Sequence, residues 1–117
     1  MSGLIYGENT EEVQKFIDWM ATATDEEMRT IYDDHEKRDR EVHAHAYANA
    51  YVHVYSCTSA HASYTIAYTS ACSALNYAGY ALCVRRLITT EDFEILTAPV
   101  RFVLERLGVV KSFEFTK

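Results

Sequence analysis

The distribution of charged and hydrophobic residues divides the chain into three parts. Residues 42–84 contain no Asp, Glu, Lys or Arg, whereas residues 1–41 carry 12 acidic and 5 basic side chains and residues 85–117 carry 5 acidic and 6 basic ones. Steps of three and four residues through the uncharged segment give mostly apolar, small or aromatic residues: Tyr47, Ala50, Val54, Cys57, His61, Tyr64, Tyr68, Ala71, Leu75, Ala78 and Leu82. This spacing predicts a helix that packs along another helix.

The length of this uncharged segment raises the question of what covers it. A single helix of this length would extend for about 60 Å, and a chain of 117 residues has few other helices to pack around it. Either the helix breaks and folds back on itself, or other chains cover it. Candidate break points are Ser56–Ser59 and Asn76–Gly79, and the sequence leaves open whether residues 42–86 form one helix or two.

Residues 43–55 also show a second pattern, because His, Tyr and Asn alternate there with Ala and Val. Alternation of this kind is typical of a strand. The inner positions are mostly Ala, however, which forms helices well and strands poorly. No hairpin turn such as Asn-Gly lies nearby. A helix is therefore favoured over a strand.

The first 41 residues contain two helix starts. Asn9 followed by Glu12, and Thr24 followed by Glu27, are capping-box patterns. Apolar residues follow each start at helical spacing: Val13, Phe16, Ile17 and Met20 after the first, and Met28, Ile31 and Tyr32 after the second. The mixed-sign run 33–41 is typical of a solvated helix surface with local ion pairs.

The last third of the chain predicts further helices. Thr89 is a candidate N-cap before two acidic residues, Pro99 is expected to end one helix and start the next, and Gly108 fits a C-cap. The alternating tail from Val109 to Lys117 is expected to be extended and to pack on the bundle or on a neighbouring chain.

These patterns together predict one all-α domain. It is a helical bundle built around the uncharged Ala- and Tyr-rich helix, or pair of helices, of residues 42–86. Acidic N-terminal helices occupy residues 1–41, and C-terminal helices and the tail occupy residues 87–117. Only one Pro and four Gly interrupt the chain, which favours helices over a turn-rich β fold.

Charge and cysteine content exclude several classes of protein. A net charge of −6 argues against direct binding of nucleic acid and against a peripheral anchor on acidic membranes. A membrane span is disfavoured because the best window, 64–84, contains Ser, Thr, Asn and four Tyr. Three widely spaced Cys do not indicate a disulfide framework, and the N-terminus lacks the pattern of a signal peptide, so a cytoplasmic location is expected.

Catalytic signatures are absent from the sequence, which contains no GxSxG, HExxH, GxGxxG or P-loop motif. We expect no enzyme activity and no cofactor. A weaker hypothesis is a metal-binding bundle, because His45, His53, Cys57 and His61 recur at multiples of four residues. Residues eight positions apart on a helix are about 12 Å apart along its axis, so a complete site would need ligands from another helix or chain.

Tyrosine is the feature that points most directly to binding. Seven of the nine Tyr lie between residues 47 and 80, and tyrosine is favoured at protein interfaces because it buries a large area at low entropy cost. The candidate contact residues are Tyr47, Tyr51, Tyr55, Tyr64, Tyr68 and Leu75. A second candidate surface, suited to a basic partner, is formed by the acidic residues Glu26, Glu27, Asp33, Asp34 and Glu36.

The segment 71–107 resembles small, Ala- and aromatic-rich proteins of actinobacteria and their phages. The resemblance lies in an Ala- and aromatic-rich helix, then residues 85–93 (RRLITTEDF), then residues 96–99 (LTAP). It implies a phage-borne accessory protein, such as an anti-CRISPR or other inhibitor of a host defence or regulatory complex. The leading hypothesis is thus a homo-oligomeric helical protein that binds a host protein. A self-assembling structural bundle and the metal-binding bundle are the alternatives.

Overall fold

Five helices make up the described part of the protein. The computed structural model describes residues 10–57, 66, 70, 72–109, 113 and 115. The helices are α1 (Thr10–Thr22), α2 (Asp25–Glu36), α3 (Arg40–Cys57), α4 (Ser73–Cys83) and α5 (Thr90–Leu107). These residues contain no strand. The prediction of an all-α bundle is confirmed, and residues 43–55 are helical.

The predicted helix starts are confirmed where the structure describes them. The Thr24 side chain accepts a hydrogen bond from the Glu27 backbone N–H, while the Glu27 carboxylate accepts one from the Thr24 N–H, so α2 begins with a complete capping box. Thr89 caps α5 by accepting from the Asp92 N–H at 3.0 Å. The predicted cap at Asn9 lies outside the described residues.

The charge run 33–41 forms the predicted ion pairs, but it is not one continuous helix. Arg38 contacts Asp34 at 2.7 Å, and Arg40 contacts Glu36 at 3.6 Å. Helix α2 ends at Glu36, and Asp39 starts α3, because its carboxylate accepts from the backbone N–H groups of residues 41 and 42. The turn at residues 37–39 separates the two helices.

Helix α4 occupies the middle of the bundle and contacts all four other helices. Eight of its 11 residues are buried, as expected for a helix without charged residues. The break predicted near Ser56–Ser59 falls where the described part of α3 stops, at Cys57, and residues 58 and 59 lie outside the described residues. The second predicted break, at Asn76–Gly79, is wrong, because these residues lie inside α4. Gly79 provides close approach instead, since a Cβ there would lie 2.7 Å from Cγ2 of Ile66.

Pro99 does not divide the last helix, contrary to the sequence-based prediction. Helix α5 runs through it from Thr90 to Leu107. A proline in a helix interior costs about 3 kcal/mol. The residues around it are buried against the core, and each large apolar side chain removed from water contributes about 1.5–3 kcal/mol. We infer that packing of the helix outweighs the lost backbone hydrogen bond.

The C-terminal end of α5 returns the chain to the core. Gly108 has a φ of 68°, and its N–H donates to the carbonyl of Glu105 while the N–H of Val109 donates to that of Leu104. This is the Schellman arrangement, which favours glycine at the left-handed position. Beyond it, Phe113 is fully buried and Phe115 is half-buried. For these two residues, the prediction that the tail packs back on the bundle is confirmed.

Candidate interaction surfaces around helix α3

Five tyrosine rings from α3 and α4 form a continuous row. Centroid distances are 4.4 Å from Tyr77 to Tyr47, 5.3 Å from Tyr47 to Tyr80, 6.0 Å from Tyr80 to Tyr51 and 6.1 Å from Tyr51 to Tyr55. The first three pairs are stacked with interplanar angles of 17–25°. Rings from the two helices thus alternate from Tyr77 to Tyr51, and Tyr55 extends the row along α3 by its contact with Tyr51.

Exposure to solvent is lowest at Tyr80, in the middle of this row, and rises from there to Tyr55. Tyr80 is 2% exposed, Tyr47 and Tyr77 are half-buried, Tyr51 is 41% exposed and Tyr55 is 74% exposed. Burial, assisted by Tyr80, raises the pKa of Tyr47 far above its ordinary value, so this phenol stays protonated. Its oxygen accepts a hydrogen bond from the Asn76 amide at 3.4 Å. The less exposed rings of Tyr77, Tyr47 and Tyr80 therefore support the row, and of its five rings Tyr51 and Tyr55 present the largest surface to another molecule.

The remaining apolar contact candidates are placed differently. Tyr64 and Tyr68 lie outside the described residues. Leu75 has 0% exposure and belongs to the core, which leaves it no surface for another chain in this fold. We call Tyr51 and Tyr55 the tyrosine surface.

The predicted acidic surface on α2 is largely engaged in local contacts. The Glu27 carboxylate belongs to the capping box, Asp34 pairs with Arg38, and Glu36 pairs with Arg40. Glu26 and Asp33 are exposed. The structure therefore leaves fewer free carboxylates on α2 than the sequence suggested.

A different acidic surface lies in the groove between α3 and α5. Two adjoining hollows of about 450 and 300 Å³ share Asp92 in their walls. The first is lined by Glu41, Val42, His45, Glu91, Asp92 and Ile95, and the second by Asn49, Val52, His53, Leu87, Ile88, Thr89 and Asp92. The Asn49 amide donates to the Asp92 carboxylate at 3.0 Å and links the two helices at the middle of the groove. Among the described side chains that line it there is no Lys or Arg.

Two histidines meet at the junction of α2, α3 and α4. The rings of His35 and His43 are perpendicular with centroids 5.1 Å apart, and both contact Tyr77. The Nδ1 atom of His43 lies 3.2 Å from the Asp39 carbonyl oxygen. His43 Nε2 and His35 Nδ1 are buried without a hydrogen-bond partner among the described residues. Burying these two nitrogen atoms without a partner among the described residues has an unfavourable desolvation energy.

The stability of the fold is expected to fall between neutral and mildly acidic pH because of His35. Burial lowers its pKa from the ordinary 6.5, His43 lowers it further, Glu36 raises it, and Arg38 and Arg40 lower it. Well above pH 6.5 the ring is neutral in both states. As the pH falls below this value the unfolded chain binds the proton first, so the free energy of unfolding decreases until the pH passes the lower pKa of the folded state.

Urea unfolding at about pH 7.5 and about pH 5.5 measures this effect. The difference in free energy of unfolding between the two pH values should be smaller in His35→Gln than in the wild type. His45→Gln, which removes an exposed histidine from α3, should keep the wild-type difference. If the free energy of unfolding depended on pH equally in the wild type and in His35→Gln, His35 would not be the source of the pH dependence.

The metal hypothesis involves residues that the structure describes only in part. His45 is exposed and His53 is half-buried, and both line the groove between α3 and α5. The Cys57 side chain and His61 lie outside the described part. Within that part, no three His, Cys, Asp or Glu side chains form a group that could hold a metal ion. Among the same residues, no helix is both long and apolar enough to cross a membrane.

No known protein family, curated protein or solved structure matches this chain. Its function is therefore argued from its own residues. Sequence analysis does not reveal two features of these surfaces: the support of the tyrosine surface by Tyr77 and Tyr80, and the shared groove of Glu41, Glu91 and Asp92. In the sequence the two tyrosines belong to the uncharged segment 42–84, Glu41 to the mixed-sign run 33–41, and Glu91 and Asp92 follow the predicted cap at Thr89. Which helices they join depends on the packing of α3 against α4 and α5.

Proposed function

We propose that this is a non-enzymatic binding protein that contacts another protein through the tyrosine surface of α3. The observation that supports it best is the row of five tyrosine rings, in which Tyr80 is 2% exposed and Tyr55, at the end of the row, is 74% exposed. A large exposed aromatic side chain that is held in place loses little entropy on binding. Tyrosines in such positions often dominate the binding energy of an interface.

A foreign protein is favoured over a second copy as the partner. One argument for self-assembly was that a domain of this size could not cover a long uncharged helix. In the structure α4 is covered by the other four helices of the same chain. In the described part of the uncharged segment, the outer part of α3 remains uncovered at Tyr51 and Tyr55, which are exposed. Two tyrosines form a small patch, which suits an anchor within a larger contact better than a permanent dimer interface.

The specific form of this proposal is a phage-encoded inhibitor that blocks a host defence or regulatory complex. It is supported by the net charge of −6, the absence of catalytic motifs from these residues and the resemblance to small proteins of actinobacteria and their phages. A blocking protein needs surface and no chemistry, which is consistent with a rigid helical bundle that presents anchors on one helix.

The test of the proposed function is a crosslinking capture with a matched control. A photo-reactive phenylalanine analogue replaces Tyr55 in one variant and Tyr32, which is 48% exposed on α2, in the other. Each is irradiated in an actinobacterial lysate, and the crosslinked proteins are identified by mass spectrometry. We expect one protein to be crosslinked specifically at position 55. Its affinity for the purified chain is then measured.

In that measurement Tyr55→Glu should weaken binding by about tenfold or more, whereas Tyr32→Glu should leave it unchanged within about twofold. Light scattering on a sizing column over about a hundredfold range of concentration tests the alternative. A defined dimer that Tyr55→Glu dissociates would replace the foreign partner with a second copy. A monomer for which both glutamate variants bind the captured protein equally well would overturn the proposal.

A further inference from the structure

The groove between α3 and α5 has the shape of a binding site for an elongated segment. We propose that it binds a cationic amphipathic peptide segment of another protein, at a surface separate from Tyr51 and Tyr55. From Glu41 to His53, α3 lines one side of the groove over 12 residue steps, or about 18 Å. This length corresponds to about three turns of a bound helix.

Exposed apolar side chains along the groove provide the hydrophobic contact. Val42 is 43% exposed, Val52 is 63% exposed and Leu87 is 48% exposed, and the half-buried Ile95 lies at the same end as Val42. Three of these are among the large hydrophobic side chains that solvent reaches in the described part of the chain. Covering each of them contributes about 25 cal/mol per Å² of apolar area removed from water. The occupant must therefore offer an apolar stripe.

Charge determines which occupant fits. Glu41 and Glu91 are exposed and Asp92 is half-buried in the groove wall, and no lining residue is a Lys or Arg. None of the ion pairs formed within the described residues includes any of these three carboxylates. An acidic or neutral segment would place its own polar groups against uncompensated carboxylates. A segment with Lys or Arg beside its apolar stripe compensates them and is attracted at longer range.

Local structure keeps this groove open in the free protein. Asp92 accepts from Asn49, and its own N–H donates to the Thr89 cap, so both walls are fixed at the midpoint. Glu41 and Glu91 occupy the first turns of α3 and α5, where the helix dipole stabilises a negative charge. The carboxylates therefore need no rearrangement before a ligand arrives. A pre-organised groove of this kind favours binding because less entropy is lost.

The experiment uses a synthetic peptide of about 12 residues with Leu on one face and Lys on the other. A fluorescent label reports binding to the full-length protein through anisotropy. Two control peptides accompany it: one carries Glu in place of Lys, and one has the same composition in an order that destroys the apolar face. We expect the Lys peptide to bind, and we expect each control peptide to bind about tenfold more weakly or not at all.

Matched variants locate the site. Glu41→Gln with Glu91→Gln should weaken binding of the Lys peptide by about five- to tenfold, because two ion pairs are lost. The control variant combines Glu26→Gln with Glu105→Gln. It changes the net charge by the same amount as the groove variant, but at exposed positions outside the groove, and it should change the affinity by less than about twofold. Equal weakening by both pairs would mean non-specific attraction and would overturn the proposal, as would equal binding of the scrambled peptide or no binding of the Lys peptide.

The tyrosine surface is tested separately in the same assay. Tyr55 does not line the groove, so Tyr55→Glu should leave peptide binding intact. If Tyr55→Glu lost peptide binding while circular dichroism showed an intact fold, the peptide would be binding at the tyrosine surface as well. That result would overturn the proposal of a separate site in the groove. Failure of the crosslinking experiment at Tyr55 has no bearing on this result, so the two proposals stand or fall independently.

Discussion

Replacing Phe16 with Ala is expected to lower the free energy of unfolding by about 3–5 kcal/mol, which is a large share of the stability of a domain of this size. Phe16 is fully buried. Its ring stacks on Trp19 with centroids 5.9 Å apart, and it contacts Phe113 and Phe115 edge-on at 5.2 and 5.8 Å. One side chain thus joins α1 to the C-terminal tail.

The stability lost in Phe16→Ala has two parts. One is the favourable free energy of removing the ring from water, and the other is the cost of the cavity that the ring leaves behind. The ring also lies 3.5 Å from the position that a Cβ on Gly79 would occupy, so it contacts α4 as well as the tail. Because its neighbours are held by three separate segments, they have little freedom to close the cavity. Phe16→Ala should therefore fall at the upper end of the range for such substitutions.

Thermal and urea unfolding measure this loss, and the expected decrease in melting temperature is about 12–20 °C. Phe102→Ala is the matched control, because Phe102 is 43% exposed on α5 and its ring contacts Arg38 and Arg101. This control should lose about 1 kcal/mol or less. If both variants lost the same stability, the packing of the tail against α1 would be contradicted.

The fold was largely predictable from sequence because its helix signals are local. The capping box at Thr24, the cap at Thr89 and the glycine at position 108 each satisfy backbone groups within a few residues. The two helix breaks predicted at Pro99 and at residues 76–79 are wrong, because at these positions tertiary packing determines whether the helix continues. A proline and a glycine usually end helices in isolation, but here one is buried in α5 and the other lets α4 approach a neighbour.

The candidate surfaces were less predictable than the helices. Composition alone pointed to tyrosine as a contact residue, and the exposed Tyr51 and Tyr55 are consistent with that. The sequence could not show that Tyr51 and Tyr55 are more exposed than Tyr47, since this difference in exposure depends on which part of α3 is covered by α4. The acidic groove was missed for a similar reason. Glu41 and Glu91 are 50 positions apart in sequence and become neighbours only when α3 packs against α5.

Gly79→Ala tests the close approach at the centre of the bundle, and we expect it to destabilise the protein although alanine is the better helix former. The substitution gains about 1 kcal/mol of helix propensity. The added Cβ would lie 2.7 Å from Cγ2 of Ile66, which is a branched methyl group on a fully buried and stiff side chain. Overpacking of this kind costs about 1–3 kcal/mol. A net loss of up to about 2 kcal/mol follows in urea unfolding.

A double-mutant cycle with Ile66 tests this expectation, because the effect of Gly79→Ala on stability should change sign when Ile66 is replaced by Ala. Ile66→Ala removes the methyl group that the new Cβ would meet, so in that background Gly79→Ala should stabilise the protein by up to about 1 kcal/mol. Ile66→Val is the matched control because it retains Cγ2, and there Gly79→Ala should remain destabilising. If the effect of Gly79→Ala were the same in all three backgrounds, contact with Ile66 would not be the reason for the glycine. The sign reversal would show that this glycine is required for packing and does not serve as a helix break.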